Sequence, residues 1–179
     1  MFDKSILKKI IIIYNIFMNI GQFKKVTKEQ FLKDSKDFLD TTIDNYDYIS
    51  IPKRATKGSA GYDFVCPFDI EIKPNELVKI PTGIRCYMEE GYVLNIYPRS
   101  SLGFKYQMML ANTVGIIDAD YYNALNQGHI IIALVNKGDK TIILNKGDRF
   151  VQGIFLKFYT AIEDEIEEVR TGGLGSSNK

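Results

Sequence analysis

Read from its amino terminus, the chain opens on an apolar run that follows the basic pair Lys8-Lys9, beginning Ile10-Ile11-Ile12-Ile13 and ending at Ile20. Two Asn interrupt the run, and it falls short of the roughly 20 apolar residues that a spanning helix needs. No Ala-x-Ala-like cleavage site follows, so neither a signal peptide nor a membrane span is expected, and Met18 is a candidate natural start. Further on, Phe31, Leu32, Phe38 and Leu39 recur at helical spacing, with Lys33, Asp34, Lys36 and Asp37 opposite. The spacing predicts a surface helix over about residues 28–40, capped by Thr27, with Gln30 at the reciprocal capping-box position. From about Tyr48 the period changes to short β-prone runs. Candidate strands are 62–66, 70–72, 77–80, 83–88, 92–97, 108–112, 129–135, 141–144 and 150–158, separated by turns such as Lys73-Pro74-Asn75-Glu76 and Asn145-Lys146-Gly147-Asp148. Many short strands without a second helical period predict an all-β fold, a jelly-roll-like barrel or sandwich with an added N-terminal helix.

The organisation expected is an N-terminal extension over 1–22, a helical decoration over 23–50 and a β domain over 51–169. The Gly/Ser tail over 170–179 is expected to be mobile until something orders it. The 179 residues are 45% apolar and 12% aromatic, which excludes a disordered, collagenous or disulfide-stapled chain. A single domain of this length buries roughly 70% of the surface its unfolded chain exposes.

Charge and rare residues narrow the chemistry. The net charge is +1, divided as +4 over residues 1–57 and −3 over 58–179. That balance argues against stable nucleic-acid binding, which is built from many cation–phosphate contacts. A phosphate site in the second part must therefore be assembled locally, from a few placed Arg or a divalent cation. His129 is the single histidine, so a multi-His zinc site is excluded, and nothing adjacent in sequence orients the ring for catalysis. Cys66 and Cys86 lie in apolar strand-like runs and read as buried free thiols. No GxxxxGK[ST] or GxGxxG follows a strand, which disfavours P-loop and Rossmann sites.

Four polar clusters interrupt the strand pattern. Gly58-Ser59-Ala60-Gly61-Tyr62-Asp63 is a small-residue turn that delivers an acid. Pro98-Arg99-Ser100-Ser101-Leu102-Gly103 sets a guanidinium beside two hydroxyls. The segment from Asn112 to Tyr121 reads as hairpin-like and carries Asp118 and Asp120, and the tail places Arg170 ahead of glycines and serines. Together they supply a cation fork, glycine-rich backbone, hydroxyl donors and carboxylates able to bind Mg²⁺ through water, which are the parts of a phosphate site.

The order and spacing of these clusters resembles the trimeric deoxyuridine triphosphatases (dUTPases) over residues 52–177. All five motifs of that family are matched in order, by Ala60-Gly61-Tyr62-Asp63-Phe64, Pro98-Arg99-Ser100-Ser101-Leu102-Gly103, Gly115-Ile116-Ile117-Asp118-Ala119-Asp120-Tyr121, Gly147-Asp148-Arg149-Phe150-Val151-Gln152 and Arg170-Thr171-Gly172-Gly173-Leu174-Gly175-Ser176-Ser177. The resemblance implies a cytoplasmic jelly-roll homotrimer that hydrolyses dUTP to dUMP and pyrophosphate with Mg²⁺. It further implies that Asp118 is the general base, that Tyr121 packs under the deoxyribose, and that Asn112 and the surrounding hairpin read uracil. Asp63 would hold the metal through water, and Arg99, Ser100, Ser101, Gln152 and Arg170 would engage phosphates, with Leu174 and Ser176 closing over the substrate as part of the tail.

Three departures stand against the family pattern. About four extra residues follow Tyr121, the fifth motif is one residue shorter than the commonest form, and Leu174 replaces an aromatic that stacks on the base. An aliphatic side chain covers uracil without offering an aromatic face, so closure of the tail is expected to be weaker. The rival within the same fold is a dCTP deaminase, which would need a Glu near Ala133, and residues 130–135 contain no acid. A non-catalytic binding module is the other alternative, with the helix at 28–40 and the insertion at 122–127 as its contact points.

Overall fold

In the computed structural model, the described residues are 20–39, 43–164, 166, 170 and 172. The expectations for a start at Met18 and for Leu174 and Ser176 lie outside them. Among the described residues the elements are, in order, β1 (Gly21–Lys25), α1 (Lys28–Leu39), β2 (Lys53–Arg54), β3 (Tyr62–Val65), β4 (Ile70–Ile72), β5 (Leu77–Pro81), β6 (Ile84–Met88), β7 (Tyr92–Pro98), α2 (Ser100–Tyr106), β8 (Met108–Leu110), β9 (Gly115–Ile117), β10 (Ile131–Asn136), β11 (Ile142–Leu144) and β12 (Arg149–Lys157). Single 3₁₀ turns lie at Tyr46–Tyr48 and Ala119–Asn123.

Among the described residues every strand pair is antiparallel, and the strands form four sheets with orders β2-β3-β12-β7-β9, β5-β10-β8, β1-β6 and β4-β11. This is the all-β jelly roll with an N-terminal helix that the pattern predicts. Alternation sets each face: β10 buries Ile132, Leu134 and Asn136 while its other residues are half-buried. Asn136 is tolerated inside because its amide donates to Ile72 O at 2.9 Å and Lys140 O at 2.8 Å, while its Oδ1 accepts from Gly138 N at 3.0 Å. β12 carries a bulge between Arg149 and Val151, so Phe150 and Val151 are both buried while Arg149 stays exposed beside β3.

The N-terminal segment belongs to the core. Phe23, Val26 and Phe31 join Phe64, Leu94, Ile96, Leu134 and Phe150 in one cluster. Phe23 meets Phe64 edge-on at 5.6 Å. β1 was not foreseen, and the boundary placed at residue 22 falls inside it. Its sequence Gly-Gln-Phe-Lys-Lys has only one apolar residue, and it forms by pairing with β6, not by its own pattern.

α1 starts where expected, but two of its details differ. Asp34 is buried, 5% exposed, along with Ser35, whereas the periodicity placed Asp34 on the solvent face. The capping box is half formed: Gln30 N donates to Thr27 Oγ1 at 3.2 Å, but the reciprocal partner of Thr27 N is Gln127 Oε1 at 2.9 Å, 100 residues away. Gln30 Nε2 donates instead to Asp34 at 2.9 Å. Cys66 and Cys86 are free and buried, as expected. Among the described residues no helix is long and apolar enough to cross a membrane.

Candidate active site

The polar clusters gather into two groups, one towards each end of β7. Asp63 on β3 faces Gln152 on β12, which in turn faces Tyr97 on β7. Arg99 follows β7 directly, and its Nε lies 3.4 Å from Asp63 Oδ1, while Arg149 Nη1 donates to Asp63 Oδ2 at 3.1 Å. The Asp63 side chain is only 11% exposed, so both guanidiniums are held against a largely enclosed carboxylate. Ser100 and Ser101 form the first turn of α2 and are exposed. Gln152 is half-buried, with its amide 3.5 Å from Pro98 O. Asn112 is exposed in the turn between β8 and β9, where its carbonyl accepts from Val114 N at 2.7 Å.

The second group surrounds Asp118, which follows β9 and caps the 3₁₀ turn Ala119–Asn123. Arg170 Nη2 donates to Asp118 Oδ2 at 2.7 Å, its Nε lies 3.1 Å from Asp120 Oδ1, and its guanidinium sits 5.7 Å from the centre of the Tyr121 ring. The Asp118 side chain keeps 48% of its surface open, so water reaches it. Tyr121 is buried, and its hydroxyl donates to His129 O at 2.8 Å. Burial pushes that hydroxyl's pKa up, against the smaller opposite effect of the Asn126 amide that donates to it, so it stays a donor.

Arg170 lies with Asp118 and Asp120 and not with the Arg99 group. Three site features depart from the sequence reading. The segment expected to form a hairpin does not return as a strand: among the described residues β9 pairs only with β7, and the chain then turns through 3₁₀ geometry. Arg149 lies in the fourth motif, and the bulge that aims it at Asp63 leaves no local signal in the sequence. His129, judged unoriented, is gripped by Asp34 from α1, 95 residues away. Such a pairing is invisible without the fold.

Within one chain the two groups stay apart. Continuing the β7–β9 register sets Asp118 opposite Val93, six residues before Arg99 on the same strand, a span of about 20 Å. Among the described residues no three His, Cys, Asp or Glu gather to hold a metal ion. Asp63 already faces two cations, leaving roughly one acceptor position on each oxygen, enough for a metal's water but not for a direct cage.

An antiparallel jelly roll that presents a guanidinium–hydroxyl cluster and a carboxylate–tyrosine cluster belongs to a class suited to nucleoside polyphosphates. The family model described as dUTPase matches residues 47–178. The deoxyuridine 5'-triphosphate nucleotidohydrolase of Lactococcus lactis subsp. lactis is 46% identical over 132 residues, covering 72% of this chain and 88% of the relative. A relative of the same name from Wolinella succinogenes is 35% identical, with 72% and 87% covered. The crystal structure of dUTPase from Streptococcus mutans superposes with a TM-score of 0.61 at 38% identity, covering 78% of this chain and 97% of that one. The chain belongs to the dUTPase family.

Proposed function

We propose that this chain hydrolyses dUTP to dUMP and pyrophosphate in a site shared between neighbouring copies, assembled as a homotrimer. Such an activity limits uracil incorporation into DNA and supplies dUMP for thymidylate synthesis. The observation that carries the reading is the pairing of family membership with an intact Asp118–Tyr121 group set about 20 Å from the Arg99 group along β7. One copy then offers the sugar and base end, and another the phosphate end.

Asp118 orients a water at the α-phosphorus and accepts its proton, a role open to a half-exposed carboxylate that water reaches. The oxygen of that water ends on dUMP, and pyrophosphate leaves. The Tyr121 ring, fixed through its hydroxyl, packs under the deoxyribose and leaves no space for a 2′-hydroxyl. Asn112 reads the uracil edge, where a donor–acceptor pattern reversed in cytosine leaves polar groups unpaired. Arg99, Arg149, Ser100, Ser101 and Gln152 receive the phosphates, with Asp63 holding the two guanidiniums in place. Mg²⁺, when bound, neutralises phosphate charge, with Asp63 contacting its water shell. Arg170 is drawn from Asp118 to the triphosphate as the tail closes, freeing the carboxylate, and Leu174 and Ser176 close with it.

Release of pyrophosphate from dUTP, dCTP, dTTP and UTP tests the reading. Hydrolysis confined to dUTP is expected, and ammonia formed from dCTP would establish a deaminase instead.

A further inference from the structure

One ionisable pair lies wholly inside the fold and takes no part in the chemistry assigned above. His129 is 0% exposed, its Nδ1 is 2.5 Å from Asp34 Oδ2, and Asp34 is itself 5% exposed. On the other side of the ring, Nε2 accepts from Gly83 N at 2.7 Å. An acceptor at Nε2 places the ring's proton on Nδ1, where it is donated to Asp34. Gln30 Nε2 donates to the same carboxylate oxygen at 2.9 Å. The ring therefore has one orientation, held from α1 on one side and from Gly83 on the other.

The main chain of His129 continues this line of contacts into the site. Its carbonyl accepts the Tyr121 hydroxyl at 2.8 Å, and Asn126 donates to that hydroxyl at 2.8 Å. The N-terminal segment and its sheet partner β6 also grip the inserted turn, at one further point each. Thr27 and Gln127 exchange two hydrogen bonds, at 2.9 and 3.2 Å. Arg85 on β6, the partner of β1, donates to Tyr122 O and lies 3.6 Å from the centre of the Tyr122 ring. The insertion that sets this chain apart from the usual family spacing is thus held by residues 24–34 and their sheet partner. That stretch precedes the family match at residues 47–178. Replacing a buried hydrogen-bonded pair by apolar groups of the same shape costs little net stability, which leaves geometry as its use.

Resting on the reading of Tyr121 as the platform for the deoxyribose, we propose that Asp34 and His129 are positioning residues for Tyr121. α1 holds the imidazole, the imidazole fixes the carbonyl, and the carbonyl fixes the ring that rejects a 2′-hydroxyl. Selectivity for a deoxyribonucleotide in this chain then depends on a helix outside the catalytic motifs.

Steady-state kinetics of the full chain on dUTP and UTP, with thermal unfolding of each variant, tests the proposal. Asp34→Ala is expected to lower the ratio of kcat/KM for dUTP over UTP by about tenfold, the scale at which a small misplacement of a contact side chain is felt. Asp34→Asn keeps an acceptor for the Nδ1 proton and is expected to restore the ratio to within about twofold of wild type. Ser35→Ala is the control for plain destabilisation, because Ser35 is buried on the same helix and bonds only to Phe31 O. It is expected to lower the melting temperature and leave the ratio alone. An Asp34→Ala protein that melts earlier with its ratio unchanged would overturn the proposal. If Asp34→Ala does not fold, Gln127→Ala, which loosens the same turn from the surface, must lower the ratio; an unchanged ratio overturns the proposal equally. Tyr121→Ala separates the two levels: a ratio unmoved by it defeats the platform reading, whereas a ratio moved by Tyr121→Ala but not by Asp34→Ala defeats only the role of the buried pair.

Discussion

At the scale of single residues, the site is organised by carboxylates that hold cations in place. Asp63 carries Arg99 and Arg149 together, and Asp118 carries Arg170. Charge-assisted pairs of this kind fix direction as well as charge. Arg149→Ala leaves Asp63 with one guanidinium, and we expect the KM for dUTP to rise by about tenfold with a smaller change in kcat. Initial-rate kinetics checks this, and an unchanged KM would remove Arg149 from the phosphate end. The two thiols show the opposite situation, groups kept out of chemistry. Burial pushes the pKa of Cys66 and of Cys86 up to about 12. Both are expected to resist thiol-specific reagents at pH 8 in the folded protein and to react on addition of denaturant, because almost no thiolate is present. The same shift has a sign for stability. The folded chain keeps these protons where the unfolded chain releases them, so stability is full below the ordinary thiol pKa and declines as pH rises from about 9 towards 12. Denaturant midpoints across that window measure it, and the decline should lessen in a Cys66→Ala, Cys86→Ala protein.

At the scale of elements, the inserted turn is built by distant contacts and two left-handed backbone positions, Gln127 and Gly128. Gly128 has φ +67°, and a Cβ there would meet Tyr121 O at 2.5 Å and the Tyr122 Cα at 2.7 Å. Gly128→Ala is expected to cost about 2 kcal/mol or more of stability, seen as a lower denaturant midpoint, and to reduce turnover because the strained turn carries Tyr121. If Leu174 covers the base as proposed, Leu174→Phe supplies an aromatic face and is expected to lower the KM for dUTP; unaltered kinetics would contradict that role. What the sequence made legible follows from where each element's information lies. β10 and β4 bury their own alternating residues, so a period of two reveals them. β1 and β9 owe their existence to β6 and β7, and α2 begins Ser-Ser-Leu-Gly, which reads as a turn. Asp34 was assigned to the wrong face for the same reason: its partner, His129, comes to it only through the tertiary fold. The motif residues were legible as chemistry, while their division between two ends of β7 was not, since strand register is absent from any motif.

At the scale of the whole molecule, the single chain sets the Asp118 group and the Arg99 group about 20 Å apart along β7. Apolar side chains such as Phe104, Ile116, Leu125 and Ile143 stand on its outside, at 91%, 64%, 86% and 64% exposure, available to neighbouring copies. A near-neutral chain serves this arrangement well, since only a few guanidiniums and a metal ion need face the triphosphate. In the proposed trimer, the Asp118 end of one subunit meets the Arg99 end of the next. The measurement that tests this most directly is co-expression of the Asp118→Asn and Arg99→Ala chains, each inactive by itself, followed by pyrophosphate release from dUTP. Random mixed trimers with shared sites contain about a quarter of sites that carry both intact residues, so roughly a quarter of wild-type activity is predicted. No activity above that of the separate variants, with mixed trimers present by native mass spectrometry, would contradict a site built between copies.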